Sequence, residues 1–156
     1  MTRLIMLACA VLASLAAVAS DDLDRRFDKD TLIIEASEFA CYRFDIYVAV
    51  SGAQRSRGLM FVRDMPPTTG MLFVYPGNDI VSMWMKNTYI SLDMVFARQD
   101  GTVINVIRDT EPQSLKSLAS TEPAAFVLEL NAGVTASLHI DDSSRLLWMP
   151  AHAGID

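Results

Sequence analysis

"YRFDIYVAV", residues 42–50, decides the fold. Phe44, Ile46, Val48 and Val50 alternate with Asp45, Tyr47 and Ala49. A period of two marks a strand with one face in a core and the other wet. "TLIIEAS" (31–37) precedes it as a second extended segment. On the other side, "SGAQRSRGLM" (51–60) breaks the alternation. Ser51 there is placed to cap a short helix over Ala53–Arg57, ended by Gly58.

Further along, "FVRDMPPTT" (61–69) is a loop, because paired prolines favour extended or turn backbone. "GMLFVY" (70–75) is a short strand closed by Pro76-Gly77, and "DIVSMWM" (79–85) and "LDMVFAR" (92–98) are two more. Asp100-Gly101 joins the last of these to "VINVIRD" (103–109) in a tight hairpin. "TEPQSLKSLAST" (110–121) reads as polar loop and "AAFVLEL" (124–130) as strand. A short helix at Val134–Leu138 and a last strand at "RLLWM" (145–149) follow. The pattern predicts a mainly β domain over residues 31–149, a small barrel or half-barrel of about seven or eight short strands with one or two short helices. Closure of that kind removes exposed sheet edges.

The ends read differently. "MTRLIMLACAVLASLAAVAS" has one positive charge, an apolar run and the small residues Ala17-Val18-Ala19. This is the layout of a secretory signal over residues 1–19, and predicts a periplasmic or extracellular protein. The run is shorter than the roughly 20 residues of a membrane span, so no stable membrane insertion is expected after cleavage. Residues 20–30, "SDDLDRRFDKD", read as a solvated polar leader, and residues 150–156 as a mobile tail.

Of 13 Lys and Arg and 19 Asp and Glu, only Arg3 leaves with the signal, so the mature charge is −7. Such a chain has no electrostatic footprint for nucleic acid. Cys41 is the single cysteine beyond residue 19, which excludes an internal disulfide and suits a small buried hydrophobe.

Against that acidity, residues 55–88 carry Arg55, Arg57, Arg63 and Lys86 but only Asp64 and Asp79. This reversal of sign points to an anionic or strongly polar ligand, against a structural ion-pair network as the plain alternative. If the strand continues through "SMWMKNT" (82–88), Trp84, Lys86 and Thr88 share one face, suited to a sugar ring or a carboxylate, or to nothing more than a lysine stem lying over an indole.

Asp93 lies on a face with Val95 and Ala97 and needs a cationic or N–H partner, for which Arg57, Arg63 and Lys86 are the candidates. Glu129 is similarly placed. The two are the candidate catalytic carboxylates of a glycoside-cleaving enzyme, if they meet in space. Six methionines, Met60, Met65, Met71, Met83, Met85 and Met94, raise Cu(I), but no histidine or cysteine accompanies them, so no metal or other cofactor is assigned. The usual hydrolase, nucleotide and zinc motifs are missing.

"RGLMFVRDMPPTTGMLFVY", "MWMKNTYISLDMVFARQDGTVINV" and "PAAFVLELNAG" resemble the signature blocks of the domain of unknown function 192 (DUF192) family, over about Phe39 to Trp148. The resemblance implies a small, mainly β fold, often behind a signal peptide, and no established activity. Its motif falls on Arg57, Gly58, Met60, Arg63, Gly70, Trp84, Met85, Lys86, Asn87, Asp93 and Glu129. Met83 stands where an aromatic is frequent, and "LHIDDSSRLLW" lacks the usual Gly-Asp pair. The functional expectation is a binding module with Arg57, Arg63, Trp84, Lys86, Asn87 and Asp93 around a small polar or anionic ligand, such as a saccharide. The competing classes are the two-carboxylate enzyme and a structural or assembly protein.

Overall fold

A computed structural model describes residues 22–150. The elements run α1 (22–26), β1 (Asp28–Ser37), β2 (Ala40–Ala49), α2 (Gly52–Arg57), β3 (Thr69–Val74), β4 (Ile80–Met83), β5 (Leu92–Ala97), β6 (Val103–Ile107), β7 (Leu118–Pro123), β8 (Phe126–Asn131), α3 (Val134–Ser137) and β9 (Arg145–Leu147). The fold is thus mainly β, with nine strands and three short helices among the described residues. Seven strands form one sheet in the order β6-β5-β8-β3-β2-β1-β9, and β4 pairs with β7 in a second.

The large sheet nearly closes into a barrel. Its end strands approach through the Thr102–Arg145 bridge, with the Val103 N–H donating to the Ser144 carbonyl (3.1 Å) and the Leu146 N–H to the Gly101 carbonyl (2.8 Å). Gly101 takes φ 85° in the β5–β6 turn, where an added Cβ would lie 2.0 Å from the Leu146 carbonyl oxygen. Only glycine fits there. All the ladders of the sheet are antiparallel except β2–β3, and a parallel pair needs a long crossover. Residues 50–68, with α2, are that crossover.

Two apolar clusters occupy the two sides of the sheet. Leu32, Ile34, Phe44, Ile46, Leu72, Val95, Leu128 and Leu146 form one, drawn from strands around the barrel. Met71, Phe73, Met94, Phe96 and Val127 form the other, covered by Leu23, Phe27, Leu59, Val62, Met65, Val81 and Met85. Strands β3, β5 and β8 are therefore buried on both faces, which is why they read as apolar runs rather than alternations.

Four expectations are corrected. Residues 22–30 are no solvated leader: Leu23 and Phe27, one helical turn apart, pack into the core, and β1 starts at Asp28. Cys41 is exposed, because it shares the outward face of β2 with Arg43 and Asp45. The polar stretch 110–121 contains the start of β7. The strand from Asp79 ends at Met83, so Trp84, Lys86 and Thr88 do not belong to one strand, though all three line one cavity. Residues 1–21, with the expected signal, and 151–156 of the expected tail lie outside the described residues.

Candidate functional site

The site begins with α2. Its N-terminus carries a reciprocal cap: the Gln54 N–H donates to Ser51 Oγ (3.2 Å) while the Ser51 N–H donates to Gln54 Oε1 (3.0 Å). It stops at Gly58, where φ is 43° and a Cβ would touch the Phe73 ring at 3.0 Å. The helix is too short to bury a residue, but its last turn delivers Arg55 and Arg57 to one place. Arg55 donates to the carbonyls of Val50 and Val74 and lies 5.0 Å over the Tyr75 ring. Arg57 donates to the Met60 carbonyl, pairs with Asp22 at 2.6 Å and stacks 4.9 Å over Phe61. Arg26 and Arg57 together hold the Asp22 carboxyl below its ordinary range, Arg26 contributing most.

The second wall is a turn from Met85 to Thr88, closed by the Thr88 N–H on the Met85 carbonyl (3.0 Å). Asn87 sits at its third position with φ 56°, a left-handed conformation that asparagine tolerates better than most residues. Its carbonyl accepts the N–H of Phe61 (2.8 Å), itself at φ 70°. This bond fastens the turn to the loop after α2. Lys86 leaves the turn with its ammonium 5.1 Å from the ring of Trp84, which is half exposed.

Between these walls lies a cavity of about 400 Å³, with Arg55, Arg57, Met60, Tyr75, Met83, Trp84, Lys86, Thr88 and Glu129 among its lining. Glu129 comes from the middle of β8, paired with Met71 of β3 and Met94 of β5. It is 4% exposed, and burial pushes its carboxyl up to about 8. No hydrogen bond or ion pair engages it among the described residues, yet no sealed polar side-chain atom lacks a partner. The Glu129 carboxyl therefore opens onto the cavity. Its neighbour Tyr75 is committed elsewhere: Tyr75 Oη donates to Met83 Sδ (3.2 Å). The tyrosine is pushed above its ordinary range by burial, with Arg55 opposing and the nearby Glu129 carboxyl adding to the rise.

Asp93 is elsewhere. Fully buried, it accepts the Asp109 N–H on Oδ1 (3.0 Å), and the Thr135 N–H (3.0 Å) and hydroxyl (2.7 Å) on Oδ2. It serves as the N-terminal cap of α3, because Gly133 at the cap position has no side chain to offer. Arg108 extends the network by donating to Thr135 Oγ1 (3.1 Å) and the Ile140 carbonyl (2.8 Å). None of the three expected cations reaches Asp93.

Of the residues singled out in the sequence, the cavity thus gathers Arg57, Gly58, Trp84, Lys86, Thr88 and Glu129. Arg63 stacks 4.6 Å over Tyr89 outside it, Asn87 shapes the turn, and Asp93 lies on the other face of the sheet. The methionines divide too: Met60 and Met83 line the cavity, whereas Met65, Met71, Met85 and Met94 are buried core. Arg55 and Tyr75 were missed as site residues. Arg55 belonged to the charge-reversed segment, but nothing in the sequence separated it from a solvated arginine, and Tyr75 carried no signal.

The fold has solved counterparts. A protein of Sinorhizobium meliloti 1021 named "putative transcription regulator" is 38% identical, with a TM-score of 0.75 over 78% of this chain and 94% of its own. A protein of unknown function from Novosphingobium aromaticivorans DSM 12444 is 28% identical, with a TM-score of 0.74 over 77% of this chain and 85% of its own. No curated protein matches the sequence. The profile of the family DUF192, described as "Uncharacterized ACR", matches residues 33–148, and the chain belongs to that family.

Proposed function

We propose that the protein is an exported, non-catalytic binding module that holds a small anionic ligand, a saccharide acid or a molecule of like size, in the cavity between α2 and the 85–88 turn. The observation that carries this reading is the cavity's unbalanced lining. Arg55, Arg57 and Lys86 line it with one carboxyl, Glu129; Arg57 is paired with Asp22 beside it, and Lys86 has no carboxylate partner among the described residues. A volume of about 400 Å³ lies within the range of small-molecule sites. Trp84, half exposed, offers an aromatic surface beside the lysine.

The two-carboxylate enzyme has no support from this geometry, since Asp93 and Glu129 cannot reach one glycosidic bond from opposite faces of a sheet. The name carried by the S. meliloti protein would suggest nucleic acid, but a formal charge of −6 gives that no electrostatic basis. Export rests on the signal-like pattern of residues 1–19.

The test is thermal unfolding of residues 20–156 with uronic acids, their neutral parent sugars and small anions. A ligand at 100 times its dissociation constant adds about 2.7 kcal/mol, a readily measured shift in midpoint. A shift given by the acids, absent with the neutral sugars and lost in Lys86→Ala, supports the reading. No shift with any of them overturns it.

A further inference from the structure

Resting on that reading, we propose that Glu129 enters the complex as a neutral carboxylic acid that donates a hydrogen bond to a ligand oxygen, so the ligand is a hydroxy- or oxo-carboxylate of monosaccharide size, bound with its charge at Lys86 and an uncharged oxygen at Glu129.

The argument is geometric first. No side chain lining the cavity donates a hydrogen bond to Glu129, and the arginine, tyrosine and threonine donors there are engaged elsewhere. Arg55 of α2 donates to the Val50 and Val74 carbonyls, and Arg57 to Asp22 and the Met60 carbonyl. Tyr75, just beyond β3, donates to Met83 Sδ, and Thr88 Oγ1 reaches the Lys86 carbonyl at 3.4 Å. Lys86 lies over Trp84. The strands flanking β8 oppose Glu129 with Met71 and Met94, which carry no charge.

An ionised carboxylate accepts hydrogen bonds only, and here nothing donates one. The protonated acid supplies one O–H donor and keeps acceptor capacity. A carboxyl buried without a compensating partner takes this form, in keeping with its elevated proton affinity.

The ligand's two ends follow. A second carboxylate at the floor would meet Glu129 with no cation between them, whereas a hydroxyl or carbonyl oxygen can accept its proton. The charged end belongs at the open side, where Lys86 has no counter-ion. Deprotonation of Glu129 then removes the donor and places a negative charge under an anionic ligand, so binding is coupled to proton uptake.

The experiment is calorimetric titration of the unmodified protein with glucuronate and galacturonate, and with glucose and galactose as uncharged controls. It is run from about pH 6 to pH 9.5 in buffers of differing ionisation enthalpy. The expected result is uronate binding that weakens about tenfold per pH unit above about pH 8, with proton uptake in that range. The Glu129→Gln variant is expected to lose this dependence. Uronate binding that is flat to pH 9.5 without proton uptake would overturn the role of Glu129 and leave the binding reading standing. Absence of binding by every acid and sugar at any pH would overturn both. The proton uptake is measured on the native chain, so the outcome does not hang on the variant folding.

Discussion

Asp93 and Glu129 come from adjacent antiparallel strands and lie one register position apart, yet they point to opposite sides of the sheet. Asp93 stands opposite Leu130, and Glu129 opposite Met94. Directly paired residues project to the same face and successive residues to opposite faces. One carboxylate therefore caps α3 and the other opens onto the cavity. Two acids of similar sequence surroundings have unrelated work.

Removing Asp93 is expected to damage the fold. Asp93→Ala leaves the Thr135 and Asp109 N–H groups without their acceptor and should cost about 3–5 kcal/mol. Urea unfolding measures it. A loss below about 1 kcal/mol would deny Asp93 its capping role.

Glu129 should give stability an inverted pH profile. Its folded value is about 8 and its ordinary value 4.5, so the folded state holds the proton more tightly. Its contribution is complete below about pH 4.5 and is lost as pH rises towards 8, where the unfolded chain is already ionised. The native chain should therefore lose stability relative to Glu129→Gln across that window, by up to several kcal/mol. Parallel profiles of the two proteins would contradict the placement of this carboxyl.

Lys86→Ala should leave the fold nearly unchanged. The exposed contact with Trp84 is worth about 0.5–1 kcal/mol, so the denaturant midpoint moves little while the response to anionic ligands disappears. A collapse of stability would make the lysine a structural fitting instead.

Gly70→Ala should be costly for so small a change. Its Cβ would stand 2.8 Å from both the Glu129 carbonyl oxygen and Leu130 Cδ2, in the β3–β8 ladder. Overpacking of that kind costs about 1–3 kcal/mol. The displaced backbone belongs to Glu129 itself, so ligand affinity should fall together with the unfolding midpoint.

How much of this was legible depended on which faces meet water. The alternation holds where Arg43 and Asp45 keep the outer face of β2 wet, and it places Cys41 outside. From Ile46 to Ala49 the strand is buried on both faces, with Tyr47 and Ala49 in the core, and Val50 beyond it is exposed. Strands β3, β5 and β8 have no wet face, so Asp93 and Glu129 appeared as isolated acids in apolar runs. Assigning their faces requires the β5–β8 register, which no local signal encodes. β7 was hidden by exposed polar residues and exists through its pairing with β4. Leu23 in α1 and Phe27 just after it carried the i, i+4 signal, but the surrounding charges concealed it. Arg57, Trp84 and Lys86 stood out by charge and type. Arg55 and Tyr75 become site residues only when the crossover folds over β8.

That crossover has a kinetic consequence. The parallel β2–β3 pair obliges residues 50–68 to cross from one end of the sheet to the other, so the cavity's first wall is a closed loop whose ends the sheet must join. Its contacts with the 85–88 turn are made between two loops, after the strands that anchor them have paired. Substitutions in the Arg55–Arg57 wall should therefore accelerate unfolding and leave the folding rate unaltered, whereas changes at the β3–β8 ladder beneath should slow folding itself.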